Sequence, residues 1–144
     1  MMNYRILLVV SLVSFAVLTG CKKDDSNDEQ KQWDHAKIEQ YAKDQQINGT
    51  FTESGLYYEV LVDGGNAHPD LSSVVTVSYK GYYLDGTILD EGENFTQLLN
   101  NLIAGWKEGI PKIGEGGKIK LVIPRHLAYG DAILVFDVTL HYFV

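Results

Sequence analysis

The reactive inventory of this chain is small, and its spacing excludes most catalysis. His35, His68, His126 and His141 share no metal-ligand spacing, and the single cysteine, Cys21, stands far from all of them. Gly117-Lys118 runs into Ile119, and position 112 is Lys, so no phosphate-cradling loop is present. No Gly-x-Ser-x-Gly elbow occurs. Asp85 and Asp90 bracket a turn too loosely for a calcium loop. A domain that needs no metal, cofactor or nucleophile is either a binder or a catalyst of a purely conformational reaction.

The stretch that could serve such a role is Leu102-Ile103-Ala104-Gly105-Trp106-Lys107-Glu108-Gly109. At helical spacing Leu102, Ile103, Trp106 and Ile110 share one face, and Gly109 and Pro111 stop the run after about two turns. β-rich segments lie on both sides. The short helix therefore reads as a plug laid across a sheet, with Trp106 either in the core or at the floor of a pocket.

The elements that must position it are strands. Segment 56–62 is β-rich and ends at Asp63-Gly64-Gly65. Val75, Val77 and Tyr79 alternate with Thr76, Ser78 and Lys80, the period of a half-buried strand. Asp85-Gly86 reads as a two-residue hairpin turn into Thr87-Ile88-Leu89. Ile119, Leu121 and Ile123 alternate after the Gly114-Glu115-Gly116-Gly117 turn, and Leu134, Phe136, Val138 and Leu140 alternate near the C-terminus. The prediction is an α+β fold: an antiparallel sheet of about five strands around one short helix.

The N-terminal part is organised differently. Residues 1–20 carry Arg5, then an apolar stretch, then Leu18-Thr19-Gly20 directly before Cys21. That is a secretory signal, too short for a spanning helix. Its end resembles the bacterial lipobox, in which cleavage leaves the cysteine as a lipid-bearing N-terminus; Cys21 is the expected attachment point. Residues 21–32 contain no apolar side chain beyond Cys21 and read as an acidic, solvated tether. The Cys21-Lys22-Lys23-Asp24-Asp25 start is similar to tags that direct some bacterial lipoproteins to the cell surface. In segment 33–50, residues 33–46 form an amphipathic helix, with Asp34 as N-cap, Trp33 stapled onto Ile38, and Asn48-Gly49-Thr50 as its end.

The chain carries a net charge of −7, and Arg5 is the only charged residue before Cys21, so the remainder is more acidic still. Such a balance argues against nucleic acid as a partner, because phosphate binding needs Lys and Arg. It also leaves the lipid, not charge, to hold the protein to an anionic membrane.

Five blocks then stand in one order: Val77-Ser78-Tyr79-Lys80-Gly81, Asp85-Gly86-Thr87-Ile88-Leu89-Asp90, Ile103-Ala104-Gly105-Trp106-Lys107-Glu108-Gly109, Leu127-Ala128-Tyr129-Gly130 and Leu134-Val135-Phe136-Asp137-Val138-Thr139-Leu140. Together, over residues 51–144, they resemble the FKBP-type peptidyl-prolyl cis-trans isomerases, and Glu53-Ser54-Gly55-Leu56-Tyr57-Tyr58 resembles the lead-in of bacterial lipoprotein members. The resemblance implies a sheet wrapped around the short helix and an aromatic pocket for proline. It implies Trp106 as the floor and Tyr79, Phe136, Leu102 and Ile103 as walls. It also implies substrate carbonyls bound by the Ile103 amide and the Tyr129 hydroxyl, with Asp90 orienting polar groups at the rim. No cofactor or metal is implied.

Two departures bear on function. The family's long Gly/Pro-rich loop after the Ala-Tyr-Gly block is reduced here to Asp131-Ala132. The family's Phe-Asp pair is Leu89-Asp90, so one pocket aromatic is missing or replaced by Phe95 from another angle. The expectation is a lipid-anchored isomerase of the bacterial cell envelope, on the periplasmic side of the outer membrane or at the cell surface. It would act on proline-containing exported polypeptides with low efficiency. A non-catalytic peptide- or partner-binding module, or a β-rich envelope lipoprotein with a filled pocket, are the alternatives.

Overall fold

The computed structural model describes residues 25–144; the expected signal segment 1–20 and the expected attachment site Cys21 lie outside them. In chain order the elements are α1 (Asp25–Asp44), β1 (Thr50–Phe51), β2 (Tyr57–Val62), β3 (Val74–Tyr83), β4 (Ile88–Leu98), α2 (Ala104–Gly109), β5 (Lys118–Ile123) and β6 (Leu134–Phe143). The strands form one antiparallel sheet in the order β1-β2-β5-β6-β3-β4. Six strands replace the expected five. The added one, β1, is a two-residue pairing of Thr50 with Tyr58 and Phe51 with Tyr57, too brief to leave an alternation.

Both faces of the sheet are covered, which is why Val122 and Val135 are as buried as their neighbours. One face carries the main core, where Leu121, Ile123, Leu134, Phe136, Val138 and Leu140 cluster with Trp106 of α2 and with Ile110 just after it. Residues 105 and 109 are both glycine, one turn apart on the helix. A Cβ at 105 would stand 2.5 Å from Ile123 Cγ2, and one at 109 would stand 2.5 Å from Leu121 Cδ2. Their absence lets α2 lie directly on β5. Gly109 keeps a right-handed conformation (φ −82°), so the helix runs on into a 3-10 turn at Ile110–Lys112 instead of ending there.

On the opposite face lies α1. Ile38 and Ala42 are buried with Ile47, Tyr57, Val122, Ile133 and Val135. The helix is longer at its start and shorter at its end than its sequence suggests. It begins at Asp25, so most of the expected tether 21–32 is helical, and Asp34 lies in the middle of it, not at an N-cap. Once residues 34–44 are docked, adding turns costs little, because each further residue gains a backbone bond without a new nucleus. The end is a Schellman motif: Gln46 takes φ 56°, its amide bonds Lys43 O at 3.2 Å, and Ile47 N bonds Ala42 O at 2.8 Å. A non-glycine residue therefore supplies the left-handed cap, ahead of the expected Asn48-Gly49.

The β3–β4 hairpin is one residue longer than expected. Gly86 N bonds Tyr83 O, and Tyr83 N bonds Thr87 O, both at 2.9 Å, which closes a three-residue loop with Gly86 at φ 87°. Asp85 Oδ1 accepts the Thr87 amide at 2.9 Å, and this bond holds the Asp85 carboxyl below its ordinary pKa.

Candidate active site

Between β3, β4, β6 and the approach to α2 lies a cavity of about 480 Å³. That is ample for a proline and its neighbours and within the usual range for small-ligand sites. All nine pocket residues anticipated from sequence line it: Trp106, Tyr79, Phe136, Leu102, Ile103, Leu89, Phe95, Asp90 and Tyr129. Asn101, which no sequence signal marked, lines it as well, its side chain bonded to Gln97 Oε1 at 3.3 Å.

Trp106 is only 4 % exposed. Tyr79 and Phe136 meet its ring edge-on, each at 5.2 Å between centroids, an arrangement that aromatic quadrupoles favour. Phe95 joins by an edge contact with Tyr79 at 5.8 Å. Among the described residues, Trp106 Nε1 is the one buried side-chain polar atom without a hydrogen-bond partner. Leu102 and Ile103 reach the cavity from extended backbone ahead of α2, not from within the helix: Leu102 closes the 3-10 turn Leu99–Asn101, and Ile103 is the helix N-cap. Ile103 O accepts the amides of Trp106 and Lys107, whereas its own amide forms no backbone bond among the described residues. Among the described residues that N–H is an unbonded donor, on a residue that lines the cavity.

Irregularities in β4 bring the rest of the wall into place. Val77 pairs with Phe95 but Tyr79 with Gly92, so β4 carries one extra residue there, with Asn94 at φ 52°. A second extra residue, Leu89, lies between the pairs Tyr82↔Ile88 and Gly81↔Asp90. Such bulges re-aim side chains, and here they turn Leu89, Asp90 and Phe95 together onto the cavity. Phe95 is thus the aromatic that stands in for the one missing at position 89. Two glycines seat the rings. A Cβ on Gly81 would stand 2.4 Å from Phe136 Cε1, and one on Gly92 would stand 2.8 Å from Tyr79 Cε1.

The polar groups sit at the rim. The Tyr79 hydroxyl donates to Asp90 Oδ2 at 2.6 Å, and the Glu91 amide donates to Asp90 Oδ1 at 2.9 Å. The carboxylate is thereby fixed in orientation. Its hydrogen bond, with burial and its negative charge adding to the effect, pushes the Tyr79 phenol up to about 12. Tyr79 therefore remains a donor throughout the physiological range. Tyr129 follows the 3-10 turn Arg125–Leu127 and is 67 % exposed, with its hydroxyl unbonded among the described residues. With β6 starting at Leu134, the chain after Gly130 is too short to fold back over the mouth. The site is a rigid aromatic cup with a fixed carboxylate and two free donors, and it is open on one side.

Sequence and structure comparisons identify the class. The family profile of FKBP-type peptidyl-prolyl cis-trans isomerases matches residues 65–141, and the chain belongs to this family. It is 39% identical to the FKBP-type peptidyl-prolyl cis-trans isomerase FkpA of Escherichia coli (strain K12), over 83% of this chain and 47% of that protein. Identity to FkpA of Aeromonas hydrophila is 37%, over 85% of this chain and 50% of the relative. The crystal structure of FkpA from Escherichia coli superposes with a TM-score of 0.69 at 36% identity, covering 83% of this chain and 59% of that one. The chain spans about half the length of the curated relatives it matches.

Proposed function

We propose that the protein catalyses cis-trans isomerisation of X–Pro bonds, with the aromatic cup over Trp106 as the observation that carries this reading. Rotation about the bond must break amide resonance across a barrier of about 18–20 kcal/mol. Water favours the charge-separated planar amide, so a pocket that takes the prolyl ring out of water lowers the cost of twisting it. Trp106 is the floor for the ring, and Tyr79, Phe95, Phe136 and Leu89 are the walls. The Ile103 amide and the Tyr129 hydroxyl bind the carbonyls on either side, while Asp90, held by Tyr79, orients polar groups at the mouth. No proton changes hands.

The open side bears on efficiency. A several-thousand-fold acceleration needs about 5 kcal/mol of barrier reduction, and a hydrogen bond to a charged group supplies about 1.5–3 kcal/mol. Desolvation must supply the rest, and desolvation is what an uncovered mouth weakens. The reading is therefore of a modest catalyst. The exposure of Tyr129 also favours a second reading, a binding module that holds proline-containing peptides without turning them over.

The substrates are proline-containing exported polypeptides, and the place of action is the bacterial cell envelope, with a lipid on Cys21 as the anchor. The support is the leader ending in Leu18-Thr19-Gly20-Cys21; among the described residues no helix is long and apolar enough to cross a membrane. The deciding measurement is the rate constant for cis-to-trans conversion of an X–Pro peptide at several concentrations of the protein. A rate that rises linearly with concentration supports catalysis, and a flat rate with saturable peptide binding supports the module.

A further inference from the structure

A buried clamp joins α1 to the turn before Tyr129. Asp34 is 1 % exposed, and both of its oxygens are engaged. Oδ1 takes Arg125 Nε at 2.9 Å and the Arg125 guanidinium NH2 group at 2.8 Å, with Gln30 Nε2 at 3.1 Å. Oδ2 takes the backbone amide of Arg125 at 3.0 Å. The guanidinium also stacks over the Trp33 ring, 4.3 Å from its centroid. Two guanidinium N–H groups converge on Oδ1 while the backbone amide of the same residue takes Oδ2, so both oxygens are fixed by charge-assisted bonds, and a buried carboxylate left unpaired is costly. The clamp therefore has one geometry.

That geometry reaches the pocket. The backbone carbonyl of the clamped residue, Arg125, accepts the Ala128 amide at 3.1 Å and the Gly130 amide at 3.0 Å, the residues on either side of Tyr129. His126 ties the far side of the same turn to Ser54 O at 2.8 Å. Among the described residues, only Asp34 grips the backbone amide of Arg125, the residue whose carbonyl, in the next peptide unit, holds both neighbours of Tyr129. The Tyr129 side chain has no hydrogen-bond partner among the described residues, and Asp131-Ala132 are too few to supply one.

We propose that Asp34 is a positioning residue for the isomerase site, setting the direction of the Tyr129 hydroxyl through Arg125. α1 thus orients the rim from behind and leaves the mouth open. This rests on the reading of the cup as an isomerase site, although the geometric part can be tested without turnover.

The test uses the full chain grown with 3-fluorotyrosine, with the Tyr129 fluorine signal assigned by its loss in Tyr129→Phe. Asp34→Asn should shift or broaden that signal. Ile38→Ala, which weakens α1 packing without touching the clamp, should leave it in place well below the melting temperature. Asp34→Asn should also lower the isomerisation rate about tenfold, or about 1.4 kcal/mol of barrier. In a Tyr129→Phe background the same substitution should change the rate by less than about twofold, because both changes remove one interaction. If Asp34→Asn does not fold, Arg125→Lys takes its place, since it keeps the charge but loses the planar fork. An unmoved Tyr129 signal, or an equal signal change in Ile38→Ala, overturns the proposal. So does a rate loss that is the same with and without the Tyr129 hydroxyl. A wild-type protein with no isomerase activity refutes the functional reading alone, and the fluorine signal still decides whether the clamp sets Tyr129.

Discussion

Gly81 offers a direct test of whether the aromatic cup is as tightly seated as it looks. It lies in β3 between Asp90 on β4 and Phe136 on β6, and its φ is outside the left-handed region. Alanine fits such a backbone, and by restricting the unfolded chain it would normally add about 0.4–1 kcal/mol of stability. Here the new methyl would stand 2.4 Å from Phe136 Cε1, about 1 Å short of an ordinary 3.4 Å contact. The ring cannot absorb that freely, because Trp106 stands edge-on to it at 5.2 Å and Tyr79 lies 6.2 Å away. Overpacking of this kind costs about 1–3 kcal/mol, so the clash outweighs the entropy and the net loss should be about 1–2 kcal/mol. For a chain of this size that is a fall of about 4–8 °C in Tm. The ring would be driven into the cavity, so affinity for a proline peptide should fall too. Thermal unfolding of Gly81→Ala, Phe136→Leu and the double variant measures it. Shortening Phe136 removes the clashing atoms, and the cost of Gly81→Ala should then disappear. A Gly81→Ala protein at least as stable as wild type, or one whose cost persists beside Phe136→Leu, would show that the ring has room to move.

Three further outcomes are expected. Trp106→Leu should weaken proline-peptide binding at least about tenfold, measured by calorimetry, at a stability cost of about 1–3 kcal/mol for the lost ring; intact binding with the same destabilisation would return Trp106 to a purely core role. The phenol raised to about 12 should appear as a late phase in phenolate absorbance, absent in Tyr79→Phe and brought back toward the ordinary value in Asp90→Asn. Because the folded state holds that proton more tightly, the stability it contributes is complete below the ordinary tyrosine value and is lost as the pH rises to about 12. Cys21→Ser should release the protein from the membrane fraction and lower its mass by that of the acyl groups, and a variant that stays membrane-bound at unchanged mass would refute the anchor.

What the sequence made legible follows from how local each signal is. The alternation in β3, β5 and β6 survives because one side chain in two faces the main core. Eight of the nine pocket residues fall in or beside blocks whose order marks the family, and Phe95 alone stands between blocks. The length of β4 was hidden because it is an edge strand with exposed acidic residues at Glu91 and Glu93 and two bulges, so no period of two remains. The start of α1 was hidden because residues 26–32 are exposed and bury nothing. The clamp was beyond reach for a different reason. Asp34 and Arg125 are separated by 91 positions, and an Asp before a helical pattern has a simpler local meaning as a cap. Gly81 and Gly92 carry no signal of their own in the sequence, and only the fold shows that they are spaces cut for rings.

These hidden features share a place in the molecule. The floor and walls rest on strands and on α2, whose residues are fixed by packing that extends well beyond the pocket, so little freedom is left there. The donors at the mouth rest on short turns, and a turn has few contacts of its own. Its direction must come from whatever is packed behind it. Asp90 takes its direction from Tyr79, within the cup. Tyr129 has no such neighbour, and the element behind its turn is α1, on the opposite face of the sheet from the main core. A helix that from sequence alone reads only as amphipathic is thus joined to the turn that carries Tyr129, which the domain itself holds through Leu127, Ala128 and the His126–Ser54 bond. Shortening the loop after Gly130 and docking α1 against Arg125 are, on this reasoning, two halves of one arrangement. Lengthening the loop alone should then change the rim less than breaking the clamp does.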